Sequence, residues 1–180
     1  PRPGERILDL CAGFGGKTTH LGMLMANTGR IIAVDRSSWK LHELSQNAHR
    51  QGLTTVTTVV GDVRELSPAK LGQFDRVLLD APCSGFGTLR RKPDIKWRRH
   101  PKDPYRFSQQ QRELLERASL FVRKGGILVY ATCTTFSEED EWVVEDFGRG
   151  HRDFDLEAAG DSLPTTCRDL VPTKCFKSWP

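Results

Sequence analysis

The sequence predicts an α/β fold, a mostly parallel sheet with helices covering both faces. Three observations carry that expectation. Strand-like runs alternate with helical ones, and several strand runs are continuously apolar, as buried parallel strands are. The polar residues that break the pattern collect where strands end: the turn after Asp9, then Asp35, Asp62, Asp80 with Cys83, and Cys133. Right-handed crossovers would bring all those ends to one edge, where such sheets bind ligands.

In order, "ERILDLC" (5–11) reads as a buried strand, followed by a glycine-rich turn and the helical stretch "KTTHLGMLMAN". "RIIAVD" (30–35) is the second strand. "SWKLHELSQNAHRQG" spaces Leu41, Leu44 and Ala48 along one helical face and ends on Gly52, a favourable cap. The β-branched "TTVTTVVGD" is the third strand, and "FDRVLLDAP", closed by Pro82, the fourth. "SQQQRELLERASLFV" predicts a helix capped by Ser108, with Leu114, Leu115, Ala118 and Phe121 on one face. Gly125-Gly126 breaks the chain before the fifth strand, "ILVYATC". A helix from Ser137 would carry Glu138, Glu139 and Asp140 in its first turn, where the helix dipole favours acids. "DFDLEAA" reads as a sixth strand. No internal repeat or low-complexity segment interrupts this order.

With 180 residues, 37% of them hydrophobic, the chain can bury one good core and has an ordinary soluble composition. No apolar run approaches the roughly 20 residues a membrane helix needs. The start, "PRPGER", lacks Met and runs directly into a strand, the pattern of an excised segment. Five cysteines, an odd number without CxxC pairs or histidines at ligand spacing, argue against a disulfide framework or a metal and for a reducing cytoplasm. The net charge of +4 is unevenly spread. "LRRKPDIKWRRHPKDPYR" (89–106) holds eight Lys/Arg against two Asp, an excess of six, so the remainder sums to −2. Such a stripe points to a polyanion partner; the plainer reading is a solvated charged loop.

"CAGFGGKTTH" (11–20) contains the end of a phosphate-binding P-loop, but Cys11 stands where that loop requires its first glycine. A nucleoside triphosphatase is disfavoured. The turn is also not GxGxxG, because Thr18 takes the third glycine's place. What remains is a tight glycine turn followed about 20 residues later by an acid, Asp35, that can accept the hydroxyls of a ribose. NAD and S-adenosylmethionine both offer that ribose. Asp62 could accept from an adenine amino group.

Five segments decide between them: "LDLCAGFGGKTTH", "VDRSSWKL", "GDVREL", "FDRVLLDAPCSGFGTLRRKPDIKW" and "GGILVYATCTTFSEEDE". In this order they resemble the RsmB/Nop2/Sun family of S-adenosylmethionine-dependent RNA cytosine-C5 methyltransferases, and "LRRKPDIKW" looks most like the bacterial branch acting on 16S rRNA. The resemblance covers about residues 3 to 157; DAPCSG together with a TC-containing strand end is specific as a pair. It implies a Rossmann-like class I methyltransferase sheet, with residues 1–160 as catalytic core and 161–180 as an incomplete C-terminal segment of the same domain, cut before its last strand. Cys11, Ala12, Gly13, Phe14, Gly15, Gly16 and Lys17, with Asp35, Asp62 and Asp80, match the family's cofactor-binding positions. Cys133 matches its nucleophile and Cys83 the second cysteine, which helps release product. Lys17 and Asp80 match residues close to the target base. The turn departs from the family's AAPGGKT, with Phe14 in place of proline, and Thr134 replaces the usual serine.

The implied chemistry explains two thiols. Carbon 5 of cytosine is a poor nucleophile until a thiolate adds to carbon 6, dividing one hard step into easier ones. Cys133 would add, with Lys17 lowering its pKa and Asp80 steadying N3 as a neutral acid. Cys83 would then act as the base that lets the adduct break. Neighbouring fourth and fifth strands, about 4.8 Å apart, would bring both thiols to one ring; the plain alternative is two structural cysteines. The base must leave its stack, so single-stranded or looped RNA is expected. Arg90, Arg91, Lys92, Lys96, Arg98 and Arg99 would grip its phosphates and Trp97 would stack on a base. The alternative function is a noncatalytic RNA-binding module on the same fold.

Overall fold

The computed structural model describes residues 1–162, so Cys167 and Cys175 lie outside the described residues. They form two compact units, Pro1–Pro82 with Glu113–Ala131, and Cys83–Arg112 with the chain from Thr132.

The first unit holds a five-stranded parallel sheet. Its strands are β1 (Arg6–Leu10), β2 (Arg30–Asp35), β3 (Val56–Val60), β4 (Phe74–Asp80) and β5 (Val122–Ala131), in the order β3-β2-β1-β4-β5. Helix α1 (Gly16–Leu24) joins β1 to β2, α2 (Ser38–Arg50) joins β2 to β3, and α3 (Pro68–Leu71) precedes β4. The chain winds outward through β3, then returns to add β4 on the other side of β1. That reversal creates a switch point between the carboxyl ends of β1 and β4, the place where open α/β sheets take ligands.

The apolar runs explain the layering. Ile7, Leu8 and Leu10 of β1, Ile31 to Val34 of β2, and Val77 and Leu79 of β4 are buried, as strands covered on both faces must be. Leu41, Leu44 and Ala48 form the buried stripe of α2, and Leu41 and Leu44 cluster with Ala33. Each leucine so buried contributes roughly 2 kcal/mol. Ser37 caps α2, accepting from Lys40 N–H, and Gly52 follows its end at φ 69°.

Four elements differ from the sequence expectation. Helix α5 (Asp103–Ser119) starts five residues before Ser108, and the Ser108 hydroxyl accepts from Arg112 Nη1 at 2.7 Å instead of capping. Asp103, at the true start, accepts from His100 N–H at 3.0 Å. Gly125 and Gly126 lie inside β5 rather than ahead of it. The register against β4 slips there, from Phe74↔Val122 to Arg76↔Ile127, and Gly125 supplies φ 71° for the irregularity. β5 is also an edge strand among the described residues, with Val129 42% exposed, rather than the buried strand its composition suggests. Residues 153–159 form no strand; the stretch turns and runs irregularly into a 3-10 turn at Ala159–Ser162.

In the second unit, a 3-10 turn at Phe86–Thr88 precedes the short helix α4 (Ile95–Arg98), and α6 (Glu141–Gly150) follows the chain past β5. This last helix begins four residues after Ser137. Glu138, Glu139 and Asp140 therefore lie in the approach to the helix, not in its first turn. Phe86 and Phe136 meet edge to face, with centroids 5.0 Å apart.

Candidate active site

Two sets of residues gather at strand ends, one in each unit. In the first unit, β1 ends on Leu10 and the chain enters the glycine turn. Cys11 has φ 63°, a conformation that costs an L-residue about 1 kcal/mol or more. Gly13 N–H donates to Asp35 Oδ2 at 2.9 Å, and Ser37 N–H to Asp35 Oδ1 at 2.9 Å. Each carboxylate oxygen keeps a further lone pair for a hydroxyl donor. Gly15 is required twice over: its φ is 82°, and a Cβ there would lie 2.3 Å from Leu44 Cγ. Helix α2 packs so closely on the turn that no side chain fits. Gly16 begins α1, and Ala12 N–H donates to Val34 O at 2.9 Å, tying the turn to β2. Phe14 is half-exposed, edge-on to Trp39 with centroids 5.3 Å apart.

Lys17 and Asp80 form an ion pair of 2.6 Å, half-exposed on the lysine side. Their first engagement is thus with each other, whereas the sequence pattern makes Asp80 a neutral acid and Lys17 a thiol activator. Asp62 is more heavily committed. Arg64 donates through its backbone N–H, Nε and Nη2, at 3.0, 2.9 and 2.5 Å. The guanidinium holds the Asp62 carboxyl well below its usual range, at about 2. An adenine amino group would have to share or displace those donors.

Asp9 is the residue of this set that sequence reasoning missed. It is 1% exposed within β1, where Thr18 Oγ1 donates to Oδ2 at 2.6 Å and Oδ1 has no partner. Burial raises its pKa to about 7, and the nearby Asp80 adds to the shift while Thr18 opposes it. The signal was a lone acid in the apolar run "ILDL". The same desolvation, with Asp35 next, pushes the Cys11 thiol up to about 12, so Cys11 stays protonated and unreactive.

In the second unit the two cysteines meet. Cys83 follows the end of β4 by three residues and Cys133 the end of β5 by two. Their sulfurs are 3.1 Å apart, and Cys133 N–H also donates to Cys83 Sγ at 3.3 Å. Cys133 is exposed and Cys83 is half-buried. The Cys83 thiol is raised well above the usual range, first by its hydrogen bond with Cys133 and then by burial. Cys83 therefore holds its proton firmly.

The basic stretch is divided in its use. Arg90, Arg91, Lys92, Lys96 and Arg98 are exposed, Trp97 is 83% exposed, and Lys96 lies 5.3 Å from the Trp97 ring. Arg99 is different: its Nε donates to Ser84 O at 2.8 Å and its Nη2 to Cys83 O at 3.3 Å. Its guanidinium lies 4.8 Å from the Phe107 ring. Two of its donors engage the Cys83 turn, and half-burial leaves it less open to a phosphate than its neighbours. Among the described residues no helix is long and apolar enough to cross a membrane, and no three His, Cys, Asp or Glu side chains are grouped to hold a metal.

The model of the 16S rRNA methyltransferase RsmB/F family matches residues 1–168. The chain belongs to this family. It is 39% identical over 173 residues to a probable ribosomal RNA small subunit methyltransferase B of Bacillus subtilis, covering 95% of this chain and 39% of the relative. Over 149 residues it is 43% identical to the human 28S rRNA (cytosine(4447)-C(5))-methyltransferase, 81% of this chain and 18% of that protein. The crystal structure of NSun6 from Pyrococcus horikoshii with SFG superposes with a TM-score of 0.76 at 37% identity, over 83% of this chain and 38% of that one. The mostly parallel, Rossmann-like methyltransferase sheet is thereby shared with a solved relative. The chain spans about two-fifths of the Bacillus relative's length.

Proposed function

We propose that this chain is the catalytic core of an S-adenosylmethionine-dependent methyltransferase that modifies C5 of a cytosine in ribosomal RNA, of the small subunit in particular. The observation that carries the reading is the thiol pair, 3.1 Å apart, with the Cys83 thiol raised by that hydrogen bond and by burial. A hydrogen bond from Cys83 S–H to Cys133 favours the thiolate on Cys133, the exposed member. Cys133 Sγ then bonds to C6 of the ring, and the electron pair of the C5–C6 double bond passes to C5, which would take up the methyl group that a bound cofactor supplies and so carry methyl and hydrogen together. Once that sulfur is bonded to carbon, it no longer carries the charge that kept the proton on Cys83. Cys83 can then release its own proton to solvent and, as the thiolate, take the proton from C5. Loss of that proton restores the double bond and expels Cys133 as thiolate. The two roles thus follow from one hydrogen bond.

The residues of the glycine turn fit S-adenosylmethionine. Asp35 retains acceptor capacity for two ribose hydroxyls, and Gly13 and Gly15 add no side chain to the turn. When bound, the cofactor supplies an electrophilic methyl group on sulfur. Cys11 to Lys17 would hold it together with Asp35 and Asp80. Asp62 would join by sharing its oxygens with Arg64 or by displacing it.

Arg90, Arg91, Lys92, Lys96 and Arg98 supply the phosphate contacts, and Trp97 a stacking face for a flanking base. The partner is a single-stranded or looped segment of rRNA, because the target ring has to be unstacked. Catalysis by a pair of reduced thiols suits the reducing cytoplasm. The test is methyl transfer from labelled S-adenosylmethionine to rRNA by the complete protein, with the modified base mapped. Label at C5 of one cytosine is the expected result. RNA binding without cofactor binding would instead mark a noncatalytic module.

A further inference from the structure

A buried carboxyl joins the two cysteine turns. Glu139 is 0% exposed, although it sits in the acidic run "SEEDE". Its Oε2 accepts from Ser84 N–H at 2.7 Å and from Gln111 Nε2 at 3.1 Å, while its Oε1 accepts from Thr134 Oγ1 at 3.2 Å. Ser84 follows Cys83 and Thr134 follows Cys133. The hydroxyls of these two residues are themselves 3.0 Å apart. Arg99 grips the same peptide from its other side through Ser84 O and Cys83 O. Gly87 N–H donates to Cys133 O at 3.0 Å, and a Cβ on Gly87 would lie 2.9 Å from that oxygen.

We propose that Glu139 is the positioning residue for both thiols, setting the distance and direction between Cys83 and Cys133 through Ser84 and Thr134. The inference rests on the functional reading above only in giving those thiols a catalytic purpose. The physical case is that loops wander unless their backbone groups are fixed. Here one side chain binds the backbone of one turn and the side chain of the other. A carboxyl with both oxygens turned to donors suits that task, since Ser84 N–H, Gln111 Nε2 and the Thr134 hydroxyl all donate to it. An amide in its place would turn one acceptor into a donor, which either faces the buried Ser84 N–H or forces the Thr134 hydroxyl to turn its proton away from position 139 to Ser84 Oγ, breaking the present set of bonds. Arg99 complements Glu139 by holding the carbonyl side of the turn. This explains why one arginine of the basic stretch is turned inward.

The spacing of the thiols can be read without catalysis. In exchange with glutathione disulfide, the two protein thiols become a disulfide and two glutathione thiols are released, so sulfur, protons and electrons balance. The equilibrium constant measures how well the pair is preset. After alkylation and trypsin, the linked species is identified from the peptides 77–90 and 125–149, which carry Cys83 and Cys133. Glu139→Gln is expected to lower the constant about tenfold, and Thr134→Val about threefold. Glu138→Gln, which removes the neighbouring charge, should leave it within about twofold. In the complete protein, Glu139→Gln should reduce kcat while the KM for S-adenosylmethionine stays the same.

Should Glu139→Gln fail to fold, Thr134→Val decides the matter, because it removes the hydroxyl link and keeps the shape. Constants within twofold of the wild type in the variants that fold would overturn the positioning role, whatever the rate of methyl transfer. A reduced constant combined with methyl transfer that survives Cys133→Ala would support the positioning role while removing the thiol chemistry.

Discussion

The glycine turn and the thiol turns are both strand-end sites, yet they are held together differently. At the glycine turn the turn's own backbone and close packing do most of the holding: Gly13 N–H on the Asp35 carboxylate, Ala12 N–H on Val34 O, and Leu44 packed against the space a Gly15 side chain would need. At the thiol turns side chains do it, with Glu139, Thr134, Ser84 and Arg99 each contributing a bond. A site built from backbone and packing shares its fate with the fold. A site built from side-chain bonds can be detuned while the fold persists. Damage should therefore appear as lost stability in the first region and as lost chemistry in the second.

The sharpest test of that contrast is Cys133→Ala. It should reduce methyl transfer by at least ~10³-fold, as loss of a nucleophile does, with the melting temperature nearly unchanged because the residue is exposed. A large drop in stability would erase the distinction between the regions.

Next comes Asp9→Asn, read by thermal unfolding against pH. The folded protein keeps a proton on Asp9 up to about pH 7, whereas the unfolded chain releases it near the ordinary value of 3.8. Native stability therefore falls as pH rises from about 4 to 7 and is flat above. The loss is on the order of 4 kcal/mol at most. The asparagine variant lacks this slope, so its stability relative to wild type should climb across the same window. Parallel curves would show that Asp9 ionises normally.

Gly15→Ala should cost about 2–3 kcal/mol, from the positive φ and the overlap with Leu44. Chemical denaturation measures it, and a neutral result would mean that α2 is free to shift. The smallest effect is expected outside both regions. Arg90, Arg91 and Lys92 changed together to alanine should weaken RNA binding about tenfold and flatten its salt dependence by up to about two units of slope. Arg99→Ala should act unlike them, lowering turnover with little change in that slope.

The parallel sheet was legible because a continuous apolar run as short as "RIIAVD", rich in β-branched residues and bounded by charges, suits a strand buried on both faces far better than a helix. The adjacency of β4 and β5 followed the expected neighbour relation. The glycine turn and both cysteines were legible because their residue types are unusual at strand ends. What the chain hid were long-range partners. Glu139 sits among acids that look like a solvated helix start, and nothing local reveals that the helix begins at Glu141. Arg99 is indistinguishable by composition from Arg98, and only the path of the chain from Cys83 turns it inward. Asp62 read as an open acceptor because Arg64, two residues on, gives no hint that it folds back. Ser108 carried a capping signal that Asp103 overrode.

The claim on which the rest depends is that one sulfur bonds to the base and the other frees it. The direct measurement is denaturing electrophoresis of the complete protein after incubation with labelled rRNA and S-adenosylmethionine, comparing Cys83→Ala with Cys133→Ala. The account predicts a slow-migrating protein–RNA adduct that accumulates with Cys83→Ala and is missing with Cys133→Ala. An adduct of equal yield in both, or one that requires Cys83, would contradict it.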